Sequence, residues 1–168
     1  NLRLHPDGRW RWHWDPRFVR RGSRGDPSFN RERMFEATRR LVEQDEVLFT
    51  VSTLGTPSNS AIHKYMNQKK VPHLFVATGA SKWGKPKEFP WTMGFQPDYH
   101  TEAVIYAKHI LANVKDAKIA VLMQNDDYGK DYWEGFKEGM GKDADKIVKH
   151  VTYEVTDPTV DSQILTLQ

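Results

Sequence analysis

The stretch that most constrains the fold is VLFTVSTLGTPSN, residues 47–59, in which an apolar, β-branched run breaks at a glycine and a proline. The first part is typical of a buried strand. Gly55 and Pro57 indicate a turn, and Ser58 or Asn59 is placed to cap a following helix. Open α/β sheets bind ligands at such strand-to-helix turns. The backbone N–H groups and hydroxyls here therefore predict a site for an anion such as a carboxylate.

The same switch from a strand pattern to a helix pattern recurs along the chain, and residues 82–96 are predicted as a loop. Predicted strands cover residues 47–51, 71–78, 118–123 and 150–155, and predicted helices cover residues 31–44, 59–68, 99–113, 130–140 and 162–168. Right-handed crossovers between such units make the strands parallel. The predicted fold class is α/β, a parallel sheet flanked by helices over residues 45–168, with an irregular N-terminal arm.

The basic residues divide the chain at one point. Residues 1–40 contain 11 Arg and no Lys, whereas residues 41–168 contain 14 Lys and no Arg. Surface positions usually accept either residue, so a single fold does not require this division. We therefore predict two segments of different origin joined near Arg40, with residues 1–40 forming an Arg/Trp-rich basic arm outside the main core. Proteolysis is expected first in the loop at residues 20–30.

In the arm, Trp10, Trp12 and Trp14 alternate with basic residues, which is a strand-like period of two. Aromatic and arginine side chains together can bind nucleic acid by stacking on bases and pairing with phosphates. No nucleic-acid-binding motif accompanies them, so we favour a basic surface segment whose indole rings pack on a neighbour, and no nucleic-acid partner is predicted.

Cysteine is absent, which excludes disulfides and thiolate chemistry. The histidines considered as ligands lack metal-ligand spacing: His13, His63, His73, His100, His109 and His150. No metal and no cofactor are predicted. No apolar run is long enough to span a membrane, and the first residues lack the apolar core of a signal peptide.

Residues 1–40 are similar to a segment of bacterial α/β-hydrolases through NLR at residues 1–3, DGRWRWHWDPRF at 7–18 and RERM at 31–34. The resemblance makes a hydrolase-like enzyme fragment an alternative function. No Gly-x-Ser-x-Gly nucleophile motif occurs in the chain, so the resemblance supplies no visible nucleophile.

Residues 39–168 resemble the leucine/isoleucine/valine-binding family of ABC-transporter substrate-binding proteins. The resemblance lies in a series of motifs in order: TRRLVEQDEV from residue 38, LGTPSN from 54, VPHLF from 71, TGAS from 78, FPWT from 89, KIAVL from 118 and DDYGKD from 126. It implies a partial type I periplasmic-binding-protein fold, with residues 41–114 in the first ligand-binding lobe and residues 115–168 in the second. It also implies a periplasmic protein that is not an enzyme, with a membrane permease as its partner.

The resemblance implies that two turns line the first lobe's side of a ligand cleft and that an aromatic side chain of the second lobe covers the ligand. The residues are Leu54, Gly55 and Thr56 in one turn, Gly79, Ala80 and Ser81 in the other, and Tyr128 opposite them. Backbone N–H groups and the hydroxyls of Thr56 and Ser81 would hold the carboxylate of a branched-chain amino acid or a similar small molecule.

The family begins with two strand–helix units before the strand at residue 47 and continues past residue 168, so the resemblance covers part of a full binding protein. We expect unpaired strand edges and self-association through them. A truncated or non-functional fusion product remains an alternative.

Overall fold

The computed structural model describes residues 2–4, 10–12 and 31–168, and only the backbone is described for the first two segments and for Arg31. In the arm, strand β1 (Leu2–Leu4) pairs antiparallel with β2 (Trp10–Trp12), and Leu2 lies opposite Trp12. The strand predicted from the Trp alternation is present at residues 10–12. The predicted loop at residues 20–30, with its expected proteolysis, and the remaining part of the Trp alternation lie outside the described residues.

The first unit contains a parallel three-stranded sheet and two helices. Its elements are α1 (Arg31–Glu43), β3 (Thr50–Val51), α2 (Thr56–Lys69), β4 (His73–Val76) and β5 (Thr92–Gly94), with a 3-10 turn at Ser81–Gly84. Strand β4 is central, with Thr50 opposite His73 on one side and His73 opposite Thr92 on the other. The predicted parallel pairing of the strands on either side of the Gly55 turn is confirmed.

The second unit contains a parallel pair of strands and three helices. Its elements are α3 (Tyr99–Asn113), β6 (Ile119–Gln124), α4 (Asp127–Met140), a 3-10 segment (Gly141–Lys146), β7 (Ile147–Tyr153) and α5 (Asp161–Leu167). Strands β6 and β7 pair over their length, from Ile119 opposite Ile147 to Gln124 opposite Tyr153. The bounds of α3 agree with the helix predicted at residues 99–113. The α/β class with parallel strands flanked by helices is therefore correct.

The strand predicted at residues 47–51 is shorter and more exposed than the sequence indicated. Only Thr50 and Val51 are in β3, Leu48 is 80% exposed, and Val51 is 50% exposed. Strand β3 has a partner only on its β4 side within the described residues. An apolar run forms a buried strand only when neighbours cover both its edge and its faces, and here they do not.

Helix α2 begins three residues earlier than predicted, and neither Ser58 nor Asn59 caps it. The N-cap is Gly55, whose φ of 94° lies in the left-handed region, and no side chain bonds the cap. Pro57 sits in the first turn, where its missing N–H costs no helical hydrogen bond. The backbone freedom of Gly55 makes the tight turn, so the polar side chains that follow are already inside the helix.

Other elements also differ from the prediction, and two of the differences have a clear local reason. The region predicted as a loop contains β5, which sequence patterning misses because it has three residues and follows Pro90. Helix α4 begins at Asp127 rather than at residue 130, because the carboxylate of Asp126 accepts hydrogen bonds from the N–H groups of Tyr128 and Gly129 at 3.0 and 3.2 Å. This is an ordinary aspartate N-cap.

Helix α1 continues through the predicted segment boundary at residue 40 and packs against α2. Phe35 contacts Tyr65 edge to face with ring centroids 5.2 Å apart, and Glu43 accepts from Lys69 and from the Tyr65 hydroxyl, both at 3.0 Å. Residues 31–43 are thus part of the first unit's packing. A separate origin for the arm stays a prediction.

Helix α3 packs mainly against α4, although the predicted boundary at residue 114 assigns it to the first lobe. A Cβ on Gly135 would lie 2.2 Å from the carbonyl oxygen of His100, and a Cβ on Gly139 would lie 2.6 Å from the Ala107 Cβ. The glycines let the two helices approach closely. The packing therefore places α3 with the strands that follow it, and the division into two lobes stays a prediction.

Val76, Ala80 and Trp83 form a small cluster of buried apolar residues. Much of the sheet of the first unit is uncovered: Val51, Phe75, Met93 and Phe95 are between 41% and 76% exposed. In the described part of the chain, no helix combines the length and the apolar character that crossing a membrane requires.

Candidate ligand-binding site

The two predicted turns are neighbours because they follow adjacent parallel strands. Leu54 and Ala77 form a parallel bridge just beyond β3 and β4, so the segments that follow these two strands leave the sheet at the same edge. This arrangement places Gly55 beside Thr78 and brings the two candidate turns together, as the sequence predicted.

The hydroxyl of Thr56 has a partner within the protein. Thr56 is 4% exposed, and its hydroxyl is hydrogen-bonded to that of Thr78, which in turn lies 3.1 Å from the hydroxyl of Tyr99. Leu54, by contrast, is 77% exposed. In this structure the Thr56 hydroxyl joins the two turns to each other and to the start of α3.

Gly79 and Ala80 shape the second turn by close packing. A Cβ on Gly79 would lie 2.6 Å from the Pro97 carbonyl oxygen and 2.7 Å from the Tyr99 ring. The Gly79 carbonyl accepts from the Tyr99 N–H at 2.7 Å, and Ala80 is almost fully buried. Any larger residue at position 79 would push α3 away from the turn.

Ser81 is the predicted site residue that binds a carboxylate in the structure. Its backbone N–H donates to Asp131 Oδ2 at 2.6 Å, and its hydroxyl donates to Asp131 Oδ1 at 2.9 Å. Asp131 lies on α4, fifty residues further along the chain. One N–H and one hydroxyl therefore hold both oxygens of a single carboxylate.

Two further contacts join α4 to the first unit next to this bond. Asp127 Oδ2 lies 2.6 Å from Lys82 Nζ and accepts from the Ser60 hydroxyl at 3.1 Å. The hydrogen bond with Lys82 is the main reason that the pKa of Asp127 is lowered. Asp127 and Asp131 are four residues apart, so they lie on one face of the helix and reach the first unit together.

Tyr128 contacts other tyrosine side chains. Its ring packs edge to face against Tyr99 and Tyr132, with centroids 4.9 and 5.2 Å away. Burial raises the pKa of its hydroxyl. The structure thus places Tyr128 in a tyrosine cluster, next to the Tyr99 ring that lies against the Gly79 turn.

The two turns open into different cavities. The cavity beside Thr56 has a volume of about 310 Å³ and lies between α2 and α4, where Ser60, Asp127 and Lys130 also line it. The cavity beside Ser81 has a volume of about 670 Å³, and its walls include Trp83, Met93, Phe95, Pro97, Asp98 and His100. Both volumes are in the range of small-molecule sites, and the second offers apolar walls next to the Ser81 hydroxyl.

A third cavity of about 620 Å³ lies between α3, α4 and β6. Tyr106, Tyr128 and Tyr132 line it together with apolar residues of β6. The hydroxyls of Tyr106 and Tyr132 both donate to Glu102, the latter at 2.5 Å, and these bonds lower the pKa of Glu102. None of the predicted ligand-binding residues except Tyr128 reaches this cavity.

A buried polar network that sequence reasoning missed supports the first turn. His73 Nε2 lies 2.7 Å from Thr53 Oγ1 and 3.0 Å from Asn59 Oδ1, and the Asn59 amide donates to the carbonyls of Thr53 and Gly55 at 2.9 and 2.8 Å. His73 is fully buried, and burial lowers its pKa to about 4. These bonds fix the chain where it leaves β3.

Asp131, His73 and Asn59 are the residues of this region whose roles the sequence did not indicate. The four-residue spacing of Asp127 and Asp131 was a signal that one helix face carries two carboxylates. It gave no indication of what that face contacts. His73 lies in a predicted strand, and its partners come from the preceding turn and from α2.

A family model described as periplasmic binding protein matches residues 23–168. The chain belongs to this family. The match extends through α1 into the predicted arm, and no comparison supports the predicted likeness of residues 1–40 to α/β-hydrolases. A comparison with curated proteins finds no match. The members of the family are solute-binding proteins of ABC transporters rather than enzymes, so the expectation of a non-enzyme is correct.

Solved structures with the same fold include a possible leucine/isoleucine/valine-binding protein from Rhodopirellula baltica SH 1, with 23% identity over 79% of this chain and a TM-score of 0.68. A solute-binding protein from R. palustris in complex with benzoate has 15% identity over 84% of the chain and a TM-score of 0.71. Another, from Rhodopseudomonas palustris HaA2 in complex with p-hydroxybenzoic acid, has 18% identity over 83% and a TM-score of 0.70.

At these identities the likeness shows the fold, a partial type I periplasmic-binding-protein arrangement. The chain spans 36%, 39% and 37% of these three structures, little more than a third of each.

Proposed function

We propose that this chain acts as the ligand-binding part of an ABC-transporter substrate-binding protein and holds a small carboxylate at the turns that follow β3 and β4. The observation that carries the proposal is the Asp131 carboxylate, both of whose oxygens are bonded by Ser81 at 2.6 and 2.9 Å. A turn that presents an N–H and a hydroxyl at this spacing has the donor geometry that a ligand carboxylate requires.

The location supports the same conclusion. Ser81 follows the central strand β4, at the edge of the sheet where parallel strands end and open α/β folds bind ligands. The adjoining cavity of about 670 Å³ has apolar walls at Trp83, Met93 and Phe95. A ligand anchored by its carboxylate at Ser81 can therefore place an aliphatic or aromatic group against these side chains.

The proposal extends to the ligand class, the location, the partner and the lobe boundary. The ligand class is a branched-chain amino acid or a similar small carboxylate. The support is that one solved structure with this fold is a possible leucine/isoleucine/valine-binding protein, and two others are complexes with benzoate and p-hydroxybenzoic acid. A periplasmic location and a membrane permease partner follow from the family. We place the change from the first lobe to the second near residues 95–98, because α3 packs with α4.

The test is isothermal titration calorimetry of the 168-residue chain with leucine, valine, benzoate and p-hydroxybenzoate. At least one of the four is expected to bind. Ser81→Ala should weaken that binding about tenfold to a hundredfold, because a charge-assisted hydrogen bond contributes roughly 1.5–3 kcal/mol. Ser162→Ala is the matched control, since Ser162 is exposed on α5 and its hydroxyl donates to the neighbouring Gln163 side chain. Absence of binding by all four compounds would contradict the proposed function.

A further inference from the structure

The Asp131 carboxylate occupies the donors that the proposed function assigns to the ligand, and this has a consequence for which ligands can bind. We propose that Asp131 makes the Ser81 site select α-amino acids over carboxylates that carry no adjacent ammonium group, such as benzoate. The inference rests on the proposed function, because it concerns the ligand class of that same site.

A ligand carboxylate must displace the Asp131 carboxylate from Ser81. Ser81 offers one N–H and one hydroxyl proton, and Asp131 accepts both. A ligand carboxylate cannot use these donors while Asp131 holds them. Binding therefore requires that the Asp131 carboxylate move aside, and because Asp131 is fixed on α4 it remains close to the ligand that replaces it.

The Asp131 carboxylate carries a charge that no neighbouring cation pairs with in the described residues. The neighbouring Asp127 is paired with Lys82 at 2.6 Å, but no lysine, arginine or histidine in residues 32–168 lies within 4 Å of the Asp131 carboxylate. Among the described residues, its two oxygens are bonded by Ser81 rather than by a cation. Once displaced, it becomes an unpaired carboxylate beside a second carboxylate in a partly buried place, where repulsion is only partly screened.

The cavity wall adds to this negative charge. Asp98 lines the same cavity, and its carboxylate accepts from Thr101 at 2.8 and 2.9 Å, which lowers its pKa. Among the described residues that line this cavity there is no lysine or arginine, and His100 pairs with Glu138 at 3.2 Å. The described walls of this cavity therefore offer a partner for a cation, and the nearby Lys82 is already paired with Asp127.

An α-amino acid meets both requirements. Its carboxylate can take the Ser81 donors, and its ammonium group, one carbon away, can pair with the displaced Asp131. Benzoate brings the negative charge without the compensating cation. The difference between the two ligands is one charge–charge contact, which at this degree of burial corresponds to at least about a tenfold difference in affinity.

The experiment compares leucine, its deaminated analogue 4-methylpentanoate, and benzoate by calorimetry on the 168-residue chain and on Asp131→Asn. In the unaltered chain leucine is expected to bind at least about ten times more tightly than either compound. In Asp131→Asn that preference should fall by about tenfold, mainly through tighter binding of 4-methylpentanoate and benzoate. Glu134→Gln is the matched control, because Glu134 is an exposed residue of the same helix that pairs with Lys137, and its variant should keep the preference.

Each outcome decides between the two proposals. If all three compounds bind but the preference is the same with and without the Asp131 charge, the inference is wrong and the proposed function stands. If none binds to either protein, the proposed function is wrong and the inference falls with it. If Asp131→Asn does not fold, as judged by circular dichroism, the unaltered chain still decides, because equal affinity for leucine and 4-methylpentanoate would overturn the inference.

Discussion

The Nε2 atom of His73 lies 2.7 Å from the hydroxyl oxygen of Thr53, across the boundary between the two strands that precede the candidate turns. The same nitrogen lies 3.0 Å from Asn59 Oδ1, which also accepts from the Thr53 hydroxyl at 2.5 Å. These contacts place the ring proton on Nε2. The other ring nitrogen, Nδ1, is buried without a hydrogen-bond partner in the described residues, so a second proton there would have no acceptor.

The burial of neutral His73 predicts that the folded protein loses stability as the pH falls. Burial holds the pKa of His73 at about 4, against 6.5 for an ordinary histidine, so the unfolded chain takes up a proton at a higher pH than the folded chain. The stability contributed by neutral His73 is present above pH 6.5 and is lost as the pH falls towards 4. Urea denaturation should show that the free energy of unfolding drops by about 2 kcal/mol between pH 7 and pH 5.

The control for this prediction is a second histidine. His109 is exposed on α3, so His109→Gln should leave the drop in stability between pH 7 and pH 5 in place. His63, whose pKa is also lowered by burial, adds in the same direction. His73→Gln should remove most of the drop, and an unchanged pH dependence in that variant would show that His73 is not its source.

The close approach of α3 and α4 predicts a sensitive position at Gly135. A Cβ there would lie 2.2 Å from the backbone oxygen of His100, which cannot rotate away, so Gly135→Ala must separate the helices. We expect a loss of about 1–3 kcal/mol in the free energy of unfolding, although alanine favours a helix more than glycine does.

Gly84→Ala provides the matched comparison for Gly135→Ala. A Cβ on Gly84 would have no atom within 4 Å, and the change should alter the free energy of unfolding by no more than about 0.5 kcal/mol. Denaturant unfolding of both variants measures the difference. Equal stability of the two variants would mean that α3 and α4 are not packed as the structure describes.

The exposed apolar sheet of the first unit predicts concentration-dependent association. Phe95 is 76% exposed and contacts Phe75 with ring centroids 5.8 Å apart, and Val51 on the edge strand β3 is half exposed. Phe95→Glu should lower the average mass measured by light scattering at high protein concentration, because a charge on this surface opposes its burial between copies.

Ile105→Glu makes the same chemical change on α3, where Ile105 is 58% exposed and away from the sheet. It should leave the association unchanged. A chain that is monomeric at every concentration, or an equal effect of both variants, would contradict self-association through the sheet.

Much of the local structure could be predicted because neighbouring residues determine it. Helix α3 is specified over its whole length by apolar residues at helical spacing and by Asp98, whose carboxylate accepts from the Thr101 N–H at the first turn. The parallel pairing of β3 and β4 follows from the helix between them, since a strand–helix–strand unit has one favoured hand. The adjacency of the turns at Gly55 and Gly79 is a consequence of that pairing.

The contacts that the predicted site residues make within the protein could not be read from the sequence. Ser81 does bind a carboxylate, but it is that of Asp131, and the hydroxyl of Thr56 is buried against Thr78. Tyr128 packs on Tyr99 and Tyr132. Most of these partners lie at least 22 residues away in sequence, and no local pattern encodes such contacts. The contact of Tyr128 with Tyr132 is the exception, because residues four apart lie on one helix face.

Apart from β5, the sequence by itself determined the main elements after residue 30, their order, the parallel pairing of β3 and β4 and the edge of the sheet at which the candidate turns meet. These features depend on hydrophobic period, turn residues and crossover hand. Only the tertiary structure decided that α3 packs with α4, that His73 closes a polar network with Thr53 and Asn59, and that Asp131 reaches Ser81. Those contacts join residues distant in sequence, and their energies arise when the desolvated groups are brought together in the folded chain.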